Sequence, residues 1–127
     1  PATRATAIEA NPDRARRITG NAARLGTDRL RVVTGRAPDA LEGLERPDAV
    51  FVGGGLSPEL LALLAERARG ARLVVNAVTL ETEMLLIEAH GRLGGDLMRI
   101  ALAEAAPLGT KRGWKPARPI VQWSVTL

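Results

Sequence analysis

Hydrophobic positions along the first ninety residues follow two patterns. Short continuous apolar runs predict strands. Apolar residues spaced three or four positions apart, after a residue that can cap a helix, predict helices. The predicted strands are Ala5 to Glu9, Leu30 to Thr34, Asp48 to Val52 and Arg72 to Asn76. The predicted helices are Asn11 to Gly26, Ser57 to Gly70 and Thr79 to His90, with at most a short helix over Asp39 to Gly43. This alternation predicts a parallel sheet with helices on both faces.

The pattern changes after Gly94-Gly95. Residues Asp96 to Glu104 and Pro119 to Leu127 alternate with a period of two, which predicts two long strands with no helix between them. The segment Ala105 to Arg118 is rich in proline, glycine and basic residues and is expected to be a loop. Because two strands joined by a loop pair antiparallel, we expect an α/β fold whose mostly parallel sheet contains an antiparallel C-terminal strand.

Length and composition narrow the class of protein. The 127 residues fit one domain, and 46% hydrophobic with 25% charged residues is ordinary for a globular protein. With no cysteine and one histidine, no metal site is expected. The N-terminus lacks a signal pattern and the apolar stretches are too short for a membrane span, so a cytoplasmic protein is expected. The chain lacks a starting methionine, and Pro1 suggests the middle of a longer protein.

The charge of the chain is basic, with a net charge of +4 and a calculated pI of 10.9. Such a balance suits a polyanionic partner. Sequence-reading RNA modules, however, usually stack bases on aromatic side chains, and this chain has no tyrosine and one phenylalanine. Solvated arginines on helix faces account for most of the charge, so nucleic acid is not expected as the partner.

Three predicted strand ends carry suggestive residues, at the places where open α/β sheets bind ligands. Glu9 suits hydrogen bonds from both ribose hydroxyls of an adenosine cofactor, and it equally suits the start of the next helix. Gly35 to Pro38 is a turn whose backbone suits an adenine edge, or an ordinary turn. Gly53-Gly54-Gly55 removes every side chain where a ligand would lie, which favours close approach of a ligand. Their occurrence at successive strand ends is the stronger signal.

Five segments of the chain carry a family resemblance. They are Ala7-Ile8-Glu9-Ala10-Asn11-Pro12, Gly35-Arg36-Ala37-Pro38, Val52-Gly53-Gly54-Gly55, Val75-Asn76-Ala77-Val78-Thr79-Leu80-Glu81-Thr82-Glu83, and Pro107-Leu108-Gly109 with Arg112-Gly113-Trp114. In order and spacing they resemble the C-terminal domain of the decarboxylating precorrin-6Y C5,15-methyltransferases and its free-standing anaerobic counterpart. The resemblance covers essentially the whole chain, and the segment that begins at Val75 is its most specific part.

The resemblance implies a Rossmann-like class I methyltransferase fold, a three-layer sandwich formed by residues 1–127, with S-adenosyl-L-methionine as cofactor. It implies that Glu9 holds the ribose, that Arg36 and Ala37 flank the adenine, and that Gly53 and Gly54 face the methionine end. The expected cofactor site is completed by Ala10, Gly35, Pro38 and Gly55. Many relatives carry an acidic residue where this chain has Arg36. At this position the resemblance therefore implies a contact with the adenine from the backbone and not from the side chain.

The implied reaction is methylation of carbon 15 of a precorrin and decarboxylation of its carbon-12 acetate chain, in cobalamin biosynthesis. Such a substrate bears many carboxylates, which arginine side chains bind well. The basic segment between the last two predicted strands is therefore interpreted as part of the substrate wall, and a solvated basic loop is the alternative. Its residues are Lys111, Arg112, Lys115 and Arg118, with Trp114 among them.

Polar residues at the end of the Arg72 to Asn76 strand are the remaining candidates. Asn76 and Thr79 are interpreted as catalytic residues and Glu81 as a substrate contact, although Thr79 also suits a helix cap and Glu81 the first helical turn. His90 lies near a helix end and is interpreted as a surface residue favoured by the helix dipole.

Two alternative functions remain open: an RNA methyltransferase on the same fold, and a non-catalytic assembly domain. The family's first strand and its glycine-rich cofactor loop are absent from this chain, which favours the assembly domain, whereas Glu9 and the triple glycine oppose it. Without that strand, Ala5 to Glu9 and Asp48 to Val52 have no shared neighbour, so an upstream segment is expected in the natural protein. Relatives assemble as tetramers, and a homotetramer is expected.

Overall fold

The computed structural model describes residues 4–127, and Pro1, where the sequence predicts an upstream continuation, lies outside the described residues. Two compact units divide the chain between Glu45 and Arg46. The first contains β1 (Ala5–Glu9), α1 (Pro12–Arg24), β2 (Leu30–Thr34) and a 3-10 helix (Asp39–Leu41). The second contains β3 (Ala49–Val52), α2 (Pro58–Arg67), β4 (Arg72–Ala77), α3 (Leu80–Leu93), β5 (Asp96–Ile100), β6 (Ala103–Leu108), β7 (Lys111–Pro116) and β8 (Ile120–Thr126).

The first unit is a parallel strand pair with one α-helix. β1 and β2 pair along their whole length, with Glu9 opposite Thr34 at their carboxyl ends. α1 begins where the sequence predicts, because the Asn11 side-chain oxygen accepts hydrogen bonds from the N–H groups of Asp13 and Arg14 at 2.9 and 3.2 Å. These N–H groups have no partner within the helix, so the cap fixes the helix start.

The second unit is built on a four-stranded sheet in the order β3-β4-β8-β5. β3 pairs with β4 in parallel, and β8 pairs antiparallel with both β4 and β5. β3, β4 and β5 therefore run in one direction and β8 in the other. The antiparallel C-terminal strand predicted from the sequence is confirmed, and it lies inside this sheet.

One face of this sheet forms the hydrophobic core of the second unit. β4 and β8 bury alternate residues, as their period of two predicts; these residues are Leu73, Val75, Ala77, Val121, Trp123 and Val125. α3 contacts β4, β8 and β5 and buries Leu86 and Ala89, while α2 buries three leucines of its own. The buried Trp123 indole donates to the carbonyl oxygen of Gly94 at 2.8 Å, which satisfies its N–H group.

The strand predicted over Asp96 to Glu104 is shorter than expected. β5 ends at Ile100, which lies opposite Ile120, the first residue of β8. The residue before Ile120 is Pro119, which has no N–H group to continue the ladder. Among residues 4–127, β5 therefore has no partner beyond Ile100, and the chain leaves the sheet there.

The loop predicted over Ala105 to Arg118 is wrong, because most of this segment is a hairpin of β6 and β7. The two strands are joined by Gly109-Thr110, and Gly109 has a φ of 61°. Glycine at the first position of a two-residue connection is a hairpin signal. The prolines of β6 and β7 are tolerated because, within the part of the chain that the structure describes, these two strands form a sheet of their own.

The strands β1 and β3 belong to different sheets. No strand among residues 4–127 pairs with both of them, as the sequence predicts. Within this part of the chain, one edge of each strand has no ladder partner. None of the helices in residues 4–127 combines the length and the apolar character needed to cross a membrane.

Candidate functional site

The carboxyl ends of β1 and β2 bring two predicted site segments together. The backbone N–H of Gly35 donates to the carbonyl oxygen of Glu9 at 3.1 Å. The Glu9 side chain is half-buried, and one carboxylate oxygen accepts from the N–H of Asn11 at 2.8 Å. Its other oxygen has no hydrogen-bond partner among residues 4–127. Glu9 thus supports the start of α1 and keeps one acceptor oxygen for a ligand, beside the exposed Ala10.

The turn after β2 has a packing reason for its glycine. A side-chain carbon added at Gly35 would lie 2.9 Å from the Cβ of Ala40, so the 3-10 helix packs directly against the glycine. The Arg36 carbonyl oxygen accepts a hydrogen bond from the Ala40 N–H at 2.9 Å, and the Arg36 side chain is exposed. The peptide bond between Ala37 and Pro38 is cis. The chain itself therefore explains Gly35. The place of the turn beside Glu9 is what keeps it a cofactor candidate.

Three glycines follow β3, and the described chain explains why glycine is needed at two of these positions but not at the third. At Gly53, an added Cβ would lie 3.2 Å from the Phe51 ring. Gly55 has a φ of 75°, a left-handed conformation that favours glycine. At Gly54, an added Cβ would meet no atom within 4 Å, and the backbone is not left-handed. The described chain gives no reason for glycine at this position, and open space beside a bare backbone suits close approach of a ligand.

The second unit gathers several predicted residues at one sheet edge. Because β3, β4 and β5 are parallel to one another, their carboxyl ends lie at the same edge. That edge carries the triple glycine, Asn76 and the base of the β6–β7 hairpin. α2 also begins there, and the Ser57 side chain accepts from the N–H of Leu60 at 3.2 Å. A helix N-terminus beside bare glycine backbone offers N–H groups and partial positive charge, which suit an anionic group.

Asn76 is paired with a residue that the sequence analysis missed. It lies directly opposite Gln122 in the β4–β8 ladder, and Gln122 Nε2 donates to Asn76 Oδ1 at 2.9 Å. Both side chains are half-buried. The signal available in the sequence was the glutamine between Val121 and Trp123, on the side of the strand opposite to the core residues.

Thr79 and Glu81 both take part in the start of α3. The Thr79 hydroxyl oxygen accepts from the N–H of Thr82 at 3.3 Å and lies 3.1 Å from the Thr82 hydroxyl, to which it donates. Glu81 lies in the first helical turn and is exposed. Thr79 therefore caps this helix, as one interpretation of the sequence requires, and both residues lie just after the carboxyl end of β4.

The basic residues predicted as a loop lie largely on a strand. Lys111, Arg112, Trp114 and Lys115 belong to β7, and Arg118 follows it. Side chains alternate along a strand, so Arg112 and Trp114 share one face of the hairpin while the two lysines share the other. Trp114 is 77% exposed. The hairpin thus presents an aromatic ring and a guanidinium side by side.

The electrostatics of the sheet edge include one perturbed carboxyl group. The pKa of Glu59 is held below its ordinary value of 4.5, mainly by a hydrogen bond with the Ser57 hydroxyl and to a lesser extent by one with its own backbone N–H.

His90 is half-buried in the last turn of α3. Within residues 4–127, no group of three His, Cys, Asp or Glu side chains is placed to hold a metal ion.

Comparison with known proteins gives the family of the chain. The model of a family described as the precorrin methyltransferase domain matches residues 1–127. The chain belongs to this family. A precorrin-6Y C(5,15)-methyltransferase (decarboxylating) from Sinorhizobium sp is 49% identical over 128 residues, which are 99% of this chain and 31% of that protein. The chain therefore spans about a third of the length of the curated relatives it matches first.

Solved structures of similar proteins share the fold. The C-terminal domain of precorrin-6Y C5,15-methyltransferase from Rhodobacter capsulatus matches with a TM-score of 0.93 and 49% identity, covering 98% of this chain and 68% of that one. Precorrin 8W decarboxylase from Methanobacterium thermoautotrophicum matches with a TM-score of 0.80 and 28% identity, covering 98% and 70%. The resemblance seen in the sequence is confirmed, and the α/β fold is that of the class I methyltransferases.

Proposed function

We propose that this chain is the part of a cobalamin-biosynthesis methyltransferase that methylates carbon 15 of a precorrin and decarboxylates its carbon-12 acetate chain. The observation that carries the proposal is the match of residues 1–127 to the precorrin methyltransferase domain family. The names of its relatives support both steps, since one is named a decarboxylating C(5,15)-methyltransferase and another a precorrin 8W decarboxylase.

S-adenosyl-L-methionine is the proposed cofactor, and it supplies an electrophilic methyl group when bound. Each unit, taken separately, offers a feature that is compatible with one part of this molecule. The second carboxylate oxygen of Glu9 accepts a ribose hydroxyl, and the open space beside Gly54 leaves the backbone accessible to the methionine end. The remaining proposed contacts are Ala10, Gly35, Arg36, Ala37, Pro38, Gly53 and Gly55.

The proposed substrate site surrounds the carboxyl end of β4 and the hairpin. Arg112 binds substrate carboxylates on the face of the hairpin where Trp114 offers its exposed ring to the tetrapyrrole, and Lys111 binds a carboxylate from the other face. Asn76 and Thr79 are the proposed catalytic residues and contact the substrate, with Glu81 beside them in the first turn of α3.

The proposed reaction depends on alignment more than on a strong base. Carbon 15 is electron-rich and would attack the methyl carbon in line, with the methyl–sulfur bond breaking and S-adenosylhomocysteine as the leaving group. Holding the two carbons together would lower the barrier to this step. When the acetate loses carbon dioxide, the conjugated ring accepts the electron pair of the broken bond. The carbon that carried the carboxylate then takes up one proton, which leaves a methyl group on carbon 12. The protein side chains fix the ring in place and shield it from water.

We further propose one methyltransferase domain comprising both units, since one family model covers residues 1–127. The domain works in a cytoplasmic homotetramer with neither nucleic acid nor membrane as partner. An exposed apolar stripe on α3 supports an assembly, because Leu80, Met84 and Ile87 lie one turn apart and are 74%, 70% and 52% exposed.

The test of the proposed function uses the full-length protein. Its thermal melting is measured with and without S-adenosylhomocysteine, and its product from a precorrin is analysed by mass spectrometry. A concentration-dependent rise in melting temperature, with gain of a methyl group and loss of carbon dioxide, is expected. The absence of any melting shift at millimolar ligand would leave a non-catalytic assembly domain as the better explanation. Retention on heparin that falls steeply with salt would favour RNA.

A further inference from the structure

The side of α3 that faces away from the sheet is apolar at its centre. Leu80, Met84 and Ile87 recur at intervals of four and three residues, so they form an apolar stripe along one side of the helix. All three side chains of this apolar stripe are exposed, whereas Leu86 and Ala89 on the opposite side of the helix are buried. A contiguous row of large exposed apolar side chains is typical of a contact surface.

Charged and polar residues flank the apolar stripe, and their character reverses along the helix. Glu81 and Glu83 lie in the first turn of α3, and His90 and Arg92 lie in the last turn. Glu83 and His90 are two turns apart and therefore share one flank. Glu81 and Arg92 are three turns apart and share the other flank with Glu88, which forms an ion pair with Arg92 at 3.9 Å. Each flank is thus acidic at its beginning and carries a nitrogen donor at its end.

A surface that packs on a second copy of itself about a two-fold axis must place its helix either parallel or antiparallel to that copy. In the antiparallel arrangement each flank faces the same flank of the copy in reverse order. Glu81 then lies opposite Arg92 of the partner subunit, and Glu83 lies opposite His90 of the partner subunit. In the parallel arrangement, the acidic first turns of the two helices would face each other, and like charges so placed repel. The charges therefore favour the antiparallel arrangement.

We propose that two copies of this chain pack α3 against α3, antiparallel and about a two-fold axis, with the apolar stripe at the centre of the contact. The partner is a second copy because the surface is complementary to itself, in its apolar centre and in both flanks. This inference rests on the assembly that the proposed function includes, and it is independent of the proposed reaction. In a homotetramer with two-fold axes, this contact joins two subunits and a different contact joins the resulting pairs.

The first test measures the mass of the full-length protein by sedimentation. Met84→Lys places a charge at the centre of the proposed contact, where it would lose its water, so the mass of the assembly should halve. The matched control is Met98→Lys on β5, because Met84 and Met98 are both exposed, at 70% and 53%. Met98→Lys should keep the wild-type mass. Thermal melting of both variants checks that they fold.

The second test addresses the antiparallel arrangement by exchanging charges. Glu81→Arg alone, or Arg92→Glu alone, replaces attraction by repulsion at two symmetric places, so the dissociation constant of the contact should rise about fivefold or more. The double variant Glu81→Arg, Arg92→Glu restores opposite charges and should return the dissociation constant to within about twofold of the wild type. Within one helix these residues are roughly 16 Å apart along the axis, so such a rescue must arise between subunits.

Three outcomes would overturn the inference. They are a double variant no better than the single ones, a wild-type mass in Met84→Lys, and equal losses of mass in Met84→Lys and Met98→Lys. A wild-type mass combined with a lower melting temperature in Met84→Lys would show that another segment of the same chain covers the apolar stripe. Methyl transfer to a precorrin is measured on the same wild-type sample. A monomeric enzyme that transfers the methyl group would refute the contact alone, whereas an assembled protein that transfers none would refute the proposed reaction alone.

Discussion

Gly54 offers the sharpest test of the proposed cofactor site, because nothing in the described chain explains the absence of its side chain. Replacing it with alanine adds one carbon to a position where no atom lies within 4 Å and where φ is not left-handed. Folding should therefore be unaffected or slightly favoured, by about 0.4–1 kcal/mol, since alanine restricts the unfolded chain. If the cofactor lies against this backbone, the added methyl group overlaps it.

Forcing one extra carbon into a packed contact costs about 1–3 kcal/mol, which corresponds to a roughly 5- to 150-fold weaker Kd. The measurement is isothermal titration of the full-length protein with S-adenosylhomocysteine, alongside thermal melting without ligand. Gly91→Ala is the matched control, because Gly91 lies within α3 and an added Cβ there also meets nothing within 4 Å. It should raise stability by about 0.5–1 kcal/mol and leave Kd unchanged. A wild-type Kd in Gly54→Ala would remove the triple glycine from the cofactor site.

Three further predictions concern charged groups. Glu9→Gln should weaken S-adenosylhomocysteine binding about tenfold in the same titration. The melting temperature without ligand should barely change, because the amide oxygen of the new glutamine still accepts from the Asn11 N–H. An unchanged Kd would assign Glu9 to the helix start alone. The double variant Lys111→Glu, Arg112→Glu should raise the KM for the precorrin at least about tenfold and make this KM less dependent on salt concentration, without changing cofactor binding. Unaltered kinetics would indicate that the basic side chains of the hairpin are only solvated. Because the pKa of Glu59 is lowered from 4.5, its stabilisation is complete above that pH and is lost as the pH falls through the lowered pKa. Melting of Glu59→Gln should therefore show a deficit at neutral pH that disappears in acid, and a deficit independent of pH would contradict this assignment.

The sequence predicted the elements whose signals are local. Asn11, Ser57 and Thr79 each cap the helix that they were expected to begin, because a capping side chain acts on N–H groups two or three residues away. The burial of Val121, Trp123 and Val125 also follows from a period that is visible within a few residues. The hairpin was missed because composition argued for a loop, and the decisive feature, the pairing of Ala103 to Leu108 with Lys111 to Pro116, is not contained in composition.

The sequence could predict only those residues of the candidate site that lie at the ends of predicted strands. Placing Glu9 and Gly35 at the ends of two consecutive parallel strands was enough to bring them together, and the structure joins them by a backbone hydrogen bond. Gln122 could not be found in this way. It lies 46 residues from Asn76, and its hydrogen bond with Asn76 depends on the register of β4 with β8, which a single sequence does not specify. The special status of Gly54 among three glycines likewise depends on the space around it.

The two tryptophans give the protein a built-in pair of optical reporters. Trp123 is fully buried, whereas Trp114 is 77% exposed on the hairpin, so their fluorescence should separate into a blue-shifted and a red-shifted component. Both lie in the second unit, and residues 4–45 contain no tryptophan. Loss of the blue component would report melting of the second unit by itself. Quenching of the red component by an added tetrapyrrole, with the blue one unchanged, would support the hairpin as part of the proposed substrate site.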